Sequence, residues 1–337
     1  MENKNKDRFK ISIADFVWTL RLFILSVVFA FVLGIVVYIF TLVFAEHAPV
    51  SEAIMNTATA ATAKVEITSN YISPMWAIFI FNSIAASFAV IGSGLFMSVH
   101  HLLIGDIAMR PKHPLYARFS ILFEKLIMPL YSLFIRIASM IDRDFSSMRR
   151  NHQEKEGTIW QYCGYGKDEY RMFSYMLPYI VPLMILMVNG FLMGILLSFF
   201  AFNGALTGFE LLGLKGIIIG LIYNVVYFFI SIIPHGIIEI PAIILAAAVG
   251  YRFGYIQAHD VIDRGLFNGD TITSLKEDAE FTFTVAKDYM LSGYTWKMLG
   301  IISLTLLIAA YIETYMTLGI VDKVMHVLDS YVEGLLF

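Results

Sequence analysis

Residues 22–45, LFILSVVFAFVLGIVVYIFTLVFA, run for 24 positions without a charged side chain. A second charge-free run covers residues 75–99, MWAIFIFNSIAASFAVIGSGLFMSV. A helix rises 1.5 Å per residue, so each run is long enough to cross the hydrocarbon core of a bilayer, which is about 30 Å thick. The two runs therefore predict transmembrane helices. The first is also too long for the apolar core of a cleaved signal peptide.

The composition supports the same class of protein. Of the 337 residues, 58% are hydrophobic and only 15% are charged, whereas about a quarter of the residues of a soluble domain are charged. We predict an all-α, polytopic transmembrane helical bundle in which residues 1–337 form a single membrane domain. The net charge of −3 gives no reason to expect nucleic acid as a partner. The single cysteine, Cys163, excludes an intrachain disulfide and a multi-cysteine metal site.

The apolar stretches predict about six spans. Their approximate bounds are 22–45, 75–99, 177–202, 213–233, 237–257 and 296–320. The fourth and fifth spans share one long apolar stretch, and we place a tight turn between them at Pro234-His235-Gly236, because proline and glycine interrupt helices. The alternative is a re-entrant hairpin around 234–241, which includes Pro241. It leaves five spans and moves the C-terminus to the other side of the membrane.

The connecting segments indicate the orientation. Residues 106–171 hold eleven lysines and arginines, whereas residues 46–74 hold one lysine. The positive-inside rule therefore places the N-terminus and the 106–171 insert in the cytoplasm, and 46–74 outside. Within the insert, residues 115–141 are apolar but carry charges, which predicts an interfacial helix. With six spans, residues 259–295 form an external loop. Its Ser274-Leu-Lys-Glu277 capping box predicts a short amphipathic helix that ends at Leu291.

Several polar side chains fall within the predicted spans, where an ionisable group costs a few kcal/mol and usually has a partner. They are Asn82, Asn189, His235, Glu239, Arg252 and Glu313. His235 and Glu239 are four residues apart, so they share one helix face. In the six-span topology Glu313 lies at a similar depth, and we expect it to approach that pair.

Three interpretations of His235, Glu239 and Glu313 stay open. In the first, the three side chains hydrogen-bond to backbone groups left free at the helix break and hold helices together. In the second, they form an ion or proton pathway. In the third, they bind the metal of an intramembrane hydrolase. Apart from that third case the sequence predicts no metal, no other cofactor and no catalytic residue, because H-E-x-x-H, G-x-S-x-G and P-loop motifs are missing. Asn82 and Asn189 are expected to serve helix packing. Arg252 is expected to reach the outer interface or to pair with a loop acid.

The run IIPHGIIEIPAIILAAAVGYRFG resembles the signature of the stage II sporulation protein M family. These multi-pass prokaryotic membrane proteins carry PHG-x-x-E-x-P-A followed by G-x-R-x-G, an A-x-I-E element, an early asparagine and an NG-x-x-x-G run. The matching positions are Pro234, His235, Gly236, Glu239, Pro241, Ala242, Gly250, Arg252, Gly254, Ala310, Ile312, Glu313, Asn82, Asn189, Gly190 and Gly194. The 106–171 insert is longer than the connection expected for the family.

The resemblance implies a protein of a prokaryotic plasma membrane. The family's namesake works in a membrane complex with cell-wall hydrolases, so the resemblance implies a non-enzymatic scaffold or complex subunit. The expected partners are the lipid bilayer, and a second copy of the chain or other membrane proteins. An ion- or proton-coupled transporter that uses His235, Glu239 and Glu313 is the alternative.

Overall fold

The computed structural model describes residues 8–44, 48–141 and 155–336. These residues form helices and connecting turns, and no strand occurs among them. The helices are α1 (Ile13–Phe44), α2 (Ala48–Ser69), α3 (Pro74–Phe96), α4 (Val99–Met109), α5 (Pro114–Ile141), α6 (Lys167–Leu212), α7 (Leu214–Asp263), α8 (Ile272–Met290), α9 (Gly293–Ile312) and α10 (Leu318–Leu336). A π-helical turn, Glu313–Thr317, joins α9 to α10. The all-α prediction is confirmed for the described residues.

Among the described residues, five helical segments are long and apolar enough to cross a membrane. They are Ile13–Phe44, Pro74–Lys112, Lys167–Leu212, Leu214–Asp263 and Gly293–Val332. Four of these segments each correspond to one predicted span. The segment Leu214–Asp263 corresponds to two predicted spans, 213–233 and 237–257. The predicted turn between those two spans is therefore wrong, and so is the re-entrant hairpin at 234–241.

Helix α7 continues through Pro234, Gly236 and Pro241. A proline removes one backbone hydrogen bond, but neighbouring helices and local adjustment allow a transmembrane helix to tolerate that loss. Gly236 keeps an ordinary negative φ, because the described glycines with positive φ lie elsewhere. The chain turns at Gly213, whose φ of 65° is a left-handed value that suits glycine. This single residue joins α6 to α7.

The chain divides into two compact units, which the prediction of a single membrane domain did not anticipate. We call Met1–Lys10, Ile91–Val181 and Val249–Trp296 the loop unit, and Ile11–Val90, Pro182–Ala248 and Lys297–Phe337 the bundle unit.

A hydrophobic core of the loop unit combines residues from both polar segments of the sequence. Its buried members are Ile104, Ile107, Trp160, Cys163, Tyr170, Val261, Leu266, Phe267, Leu275 and Ala279. The Trp160 indole donates a hydrogen bond to the Gly269 carbonyl over 3.2 Å. Parts of residues 106–171 and 259–295 therefore share one core, whereas the predicted external 259–295 loop places the two segments on opposite sides of a membrane. That predicted placement depends on the extra turn at 234–236, through which α7 continues without a break.

The two predicted loop helices are present with small differences. Helix α5, Pro114–Ile141, covers the predicted interfacial segment and presents exposed apolar side chains such as Leu115 and Leu126. Helix α8 begins after Thr271, whose hydroxyl accepts a hydrogen bond from the backbone N–H of Ser274. The N-cap is therefore three residues earlier than the predicted capping box. Residues 142–154 of the insert lie outside the described residues.

A buried arginine fixes the end of α4 against α5. Arg110 is 4% exposed and contacts the carboxylates of Asp106 and Glu124. It also donates to the Tyr162 carbonyl over 3.2 Å. The second oxygen of Glu124 accepts from the backbone N–H of Gly164 over 2.6 Å. These bonds attach the 159–164 segment to α4 and α5.

Small residues bring the helices of the bundle unit into close contact. A Cβ added to Gly194 on α6 would lie 2.2 Å from the Val27 carbonyl oxygen of α1. The same test at Gly190 gives 3.0 Å to the Phe23 carbonyl oxygen. Both glycines therefore serve close packing of α1 against α6.

The α6–α7 hairpin carries a symmetrical set of such contacts, which we call the glycine ladder: Gly204 opposite Gly220, and Gly208 opposite Gly216. A Cβ on Gly208 would lie 2.0 Å from the Gly216 carbonyl oxygen, and one on Gly220 would lie 2.0 Å from the Gly204 carbonyl oxygen. The two backbones touch where any side chain would separate them.

Candidate functional site

The candidate site begins on α7, in the bundle unit. His235 and Glu239 lie four residues apart in a continuous helix and so project from the same face. Both side chains are partly buried. Because Pro234 and Pro241 flank the pair without ending the helix, the spacing of one turn is kept.

The third residue comes from the junction of α9 and α10. Glu313 is the first residue of the π-helical turn Glu313–Thr317. Such turns insert one extra residue into a helix and occur often at functional sites. Here the turn places the Thr317 hydroxyl 3.2 Å from the Ile312 carbonyl, to which it donates a hydrogen bond.

His235, Glu239 and Glu313 meet in space. One potential ligand atom from each residue lies within 4.8 Å of the other two. We call these three residues the intramembrane cluster. They approach each other even though the turn on which we based their convergence is missing, because the bundle unit packs the middle of α7 against the end of α9.

Two further side chains hold the cluster. The Asn82 amide of α3 donates to a carboxylate oxygen of Glu239 over 2.9 Å. The Nδ1 atom of His235 lies 3.3 Å from the Thr317 hydroxyl. The cluster and its partners thus connect α3, α7 and the α9–α10 junction by polar contacts.

The cluster lacks a basic partner within the described part of the chain. Neither Glu239 nor Glu313 forms an ion pair with a lysine or arginine there. Two carboxylates close together in a medium of low dielectric repel each other and are poorly solvated. Protons or a cation must therefore compensate their charge.

A cavity of about 190 Å³ adjoins the cluster. Its lining includes His235, Gly236 and Glu239 of α7, and Asn189 of α6. The Asn189 amide donates to the Ile185 carbonyl over 2.7 Å, which leaves its carbonyl oxygen for other groups. The site thus combines polar side chains with space beside them.

Arg252 does not belong to this site. It lies in the loop unit, and its Nε donates to the Arg8 backbone carbonyl over 3.3 Å. Its guanidinium also lies over the Tyr255 ring, 5.6 Å from the centroid. That Arg252 reaches the outer interface or pairs with a loop acid stays a prediction.

Sequence reasoning missed Thr317. Its signal was weak, because a threonine four residues after Glu313 is common on any helix. Only the π-helical turn gives it a role, since the extra residue per turn points its hydroxyl at both Ile312 and His235.

Comparison with known proteins supports the signature. Residues 171–318 match the family model of Stage II sporulation protein M, and the family resemblance is thereby confirmed over these residues. The match contains His235, Glu239 and Glu313, while Asn82 lies outside it. Neither a curated protein nor a solved structure matches the chain.

Proposed function

For a chain that carries this match to Stage II sporulation protein M, we propose a non-enzymatic scaffold, or subunit of a membrane complex, in the plasma membrane of a prokaryote. The helices that are apolar enough to cross a membrane fit a multi-pass protein. A scaffold needs a rigid bundle that presents fixed surfaces to its partners.

The observation that carries this proposal is the way polar contacts tie the bundle unit together. Asn82, Glu239 and His235 connect three separate parts of the chain within one unit. Close glycine contacts join α1 to α6 and α6 to α7. Hydrogen bonds between transmembrane helices and small residues at their interfaces both stabilise helix association.

We propose that the N-terminus and the loop unit are cytoplasmic. The eleven lysines and arginines of residues 106–171 support this orientation. If all five candidate segments cross the membrane, the odd number of crossings places the C-terminus outside. Apolar side chains that stay exposed on α1, among them Phe29 and Val36, would contact lipid, another copy of the chain or a membrane partner.

The scaffold proposal is tested with Glu239→Gln. This change keeps the shape of the side chain and weakens the charge-assisted bond from Asn82, so we expect a loss of about 1–2 kcal/mol of stability in detergent. A matched control is Glu210→Gln, on an exposed residue of the same unit. Wild-type protein in liposomes is expected to give no ion or proton flux. A flux that Glu239→Gln abolishes would overturn the scaffold proposal.

An ion- or proton-coupled transporter is the second candidate, and the cavity beside the cluster favours it. Carboxylates and histidines that face a water-accessible space mark many proton pathways. This candidate predicts a flux in liposomes that is lost in both Glu239→Gln and Glu313→Gln. A flux that persists in both variants would contradict it.

A further inference from the structure

We propose that the intramembrane cluster binds one divalent transition-metal ion, with His235, Glu239 and Glu313 as its protein ligands and Zn²⁺ as the ion that fits them best. This inference does not depend on whether the protein is a scaffold or a transporter. It rests on the distances, the hydrogen bonds around the cluster and its charge.

The distances suit a common ion after a small adjustment. The candidate ligand atoms lie within 4.8 Å of one another. Tetrahedral zinc with bonds of about 2.1 Å separates its ligand atoms by about 3.4 Å. The longest separation must therefore shorten by about 1.4 Å or less, which rotation of a glutamate side chain provides.

The hydrogen bonds fix His235 in the tautomer that can bind a metal ion. The Thr317 hydroxyl uses its proton on the Ile312 carbonyl, so it faces His235 as an acceptor. Nδ1 of His235 then carries the ring proton and donates it to Thr317. Nε2 keeps its lone pair for a metal ion. Partners of this kind orient the histidines of most metal sites and fix their tautomer.

Glu239 is arranged in a similar way. One of its oxygens accepts from Asn82 over 2.9 Å, and the other is available to a ligand. An amide N–H that donates to a carboxylate favours the ionised form, which is the form that coordinates metals.

Charge provides the third argument. With His235 neutral and both glutamates ionised, the cluster would carry two negative charges, and it has no lysine or arginine partner within the described part of the chain. A divalent cation neutralises both carboxylates at once and removes their repulsion.

The ligand set favours zinc over the harder cations. Mg²⁺ and Ca²⁺ prefer oxygen ligands alone, whereas an imidazole with two carboxylates suits Zn²⁺. Three protein ligands leave a fourth position for water or another small ligand. The cavity of about 190 Å³ lies beside His235 and Glu239, where that fourth ligand would sit.

The test starts with the full chain purified in detergent. Mass spectrometry of the metal content should give about one zinc ion per chain, and Zn²⁺ titrated into chelator-treated protein should show one binding site. Co²⁺ in place of Zn²⁺ should give the visible absorption of a four-coordinate site. Glu313→Gln should lose that absorption, and the control Glu210→Gln should keep it.

Thr317→Val tests the arrangement without removing a ligand. Loss of the acceptor for Nδ1 should weaken Zn²⁺ binding by about 10- to 100-fold. The Thr317→Val variant keeps the test decisive if Glu313→Gln fails to fold. If Thr317 had a purely structural role, this variant would lose stability without a change in zinc affinity. Wild-type protein that is folded, binds no Zn²⁺ and gives no Co²⁺ absorption would overturn the proposal. So would equal metal binding in wild type and Glu313→Gln.

Discussion

The glycine ladder of the α6–α7 hairpin predicts a large effect from one methyl group. In Gly208→Ala, the new Cβ would lie 2.0 Å from the Gly216 carbonyl oxygen, whereas ordinary contacts begin at 3.4 Å. The two helices must therefore move apart by about 1.4 Å at this level. Gly204 and Gly220 contact each other one turn away, so the separation also loosens that pair.

The energy of this change follows from packing and helix propensity. Overpacking of a tight interface costs about 1–3 kcal/mol. Replacing glycine by alanine within a helix stabilises the helix by up to about 1 kcal/mol, because alanine has the higher helix propensity. Gly300→Ala is the matched control, because a Cβ there has nothing within 4 Å. We expect Gly208→Ala to be less stable than Gly300→Ala by about 1–3 kcal/mol.

The assay is reversible unfolding of both variants in mixed micelles, with helix content followed by circular dichroism. Gly300→Ala reports what alanine does to a helix in the absence of a contact. The difference between the two variants therefore isolates the backbone contact. If Gly208→Ala were as stable as Gly300→Ala, the ladder would not hold the hairpin together.

Three further predictions concern the loop unit. Burial raises the pKa of the Cys163 thiol to about 12, so native protein should resist alkylation at pH 8 while a Lys276→Cys variant reacts at its exposed site. Because that pKa lies above the ordinary value, the stability that the protonated thiol provides should fall as pH rises from about 9 to 12. In the alkylation experiment, a Cys163 that reacted as fast as the exposed cysteine would show that the thiol is not buried. Arg110→Ala leaves the partly buried carboxylates of Asp106 and Glu124 without their cation and should cost up to about 3 kcal/mol in thermal or denaturant unfolding. The exposed control Arg118→Ala should change stability little. Cysteines introduced at Arg118 and at Lys276 should react with a membrane-impermeant maleimide from the same face of sealed vesicles, and labelling from opposite faces would refute the shared core.

Long charge-free runs made the membrane class predictable. Residues 22–45 lie almost entirely within α1, and 75–99 falls within the segment Pro74–Lys112. These predictions worked because the cost of exposing charges to lipid acts on each span by itself. The pairing of His235 with Glu239 was predictable for a similar reason, since it depends on the helical repeat alone.

The turns were not predictable in the same way. Pro234-His235-Gly236 has the composition of a turn, but α7 passes through it because neighbouring helices support a helix that proline weakens. The reversal at Gly213 lies close to the predicted connection between the spans 177–202 and 213–233, although its exact residue was not predicted. It depends on the left-handed backbone of one residue and on glycine contacts between α6 and α7. The added turn at 234–236 is what placed residues 259–295 outside in the prediction.

The Asn82–Glu239 hydrogen bond joins a residue inside the family match to a residue outside it. The family match spans residues 171–318, yet Glu239 within it takes its amide partner from α3. The match also excludes α1, whose Val27 carbonyl and Ala30 side chain lie close to Gly194. It excludes Trp160 and Cys163 as well, which share a core with Phe267. A truncated protein limited to the matched residues would expose these surfaces, and it would be expected to aggregate. Folding of the matched residues is therefore expected to need partners from the rest of the chain.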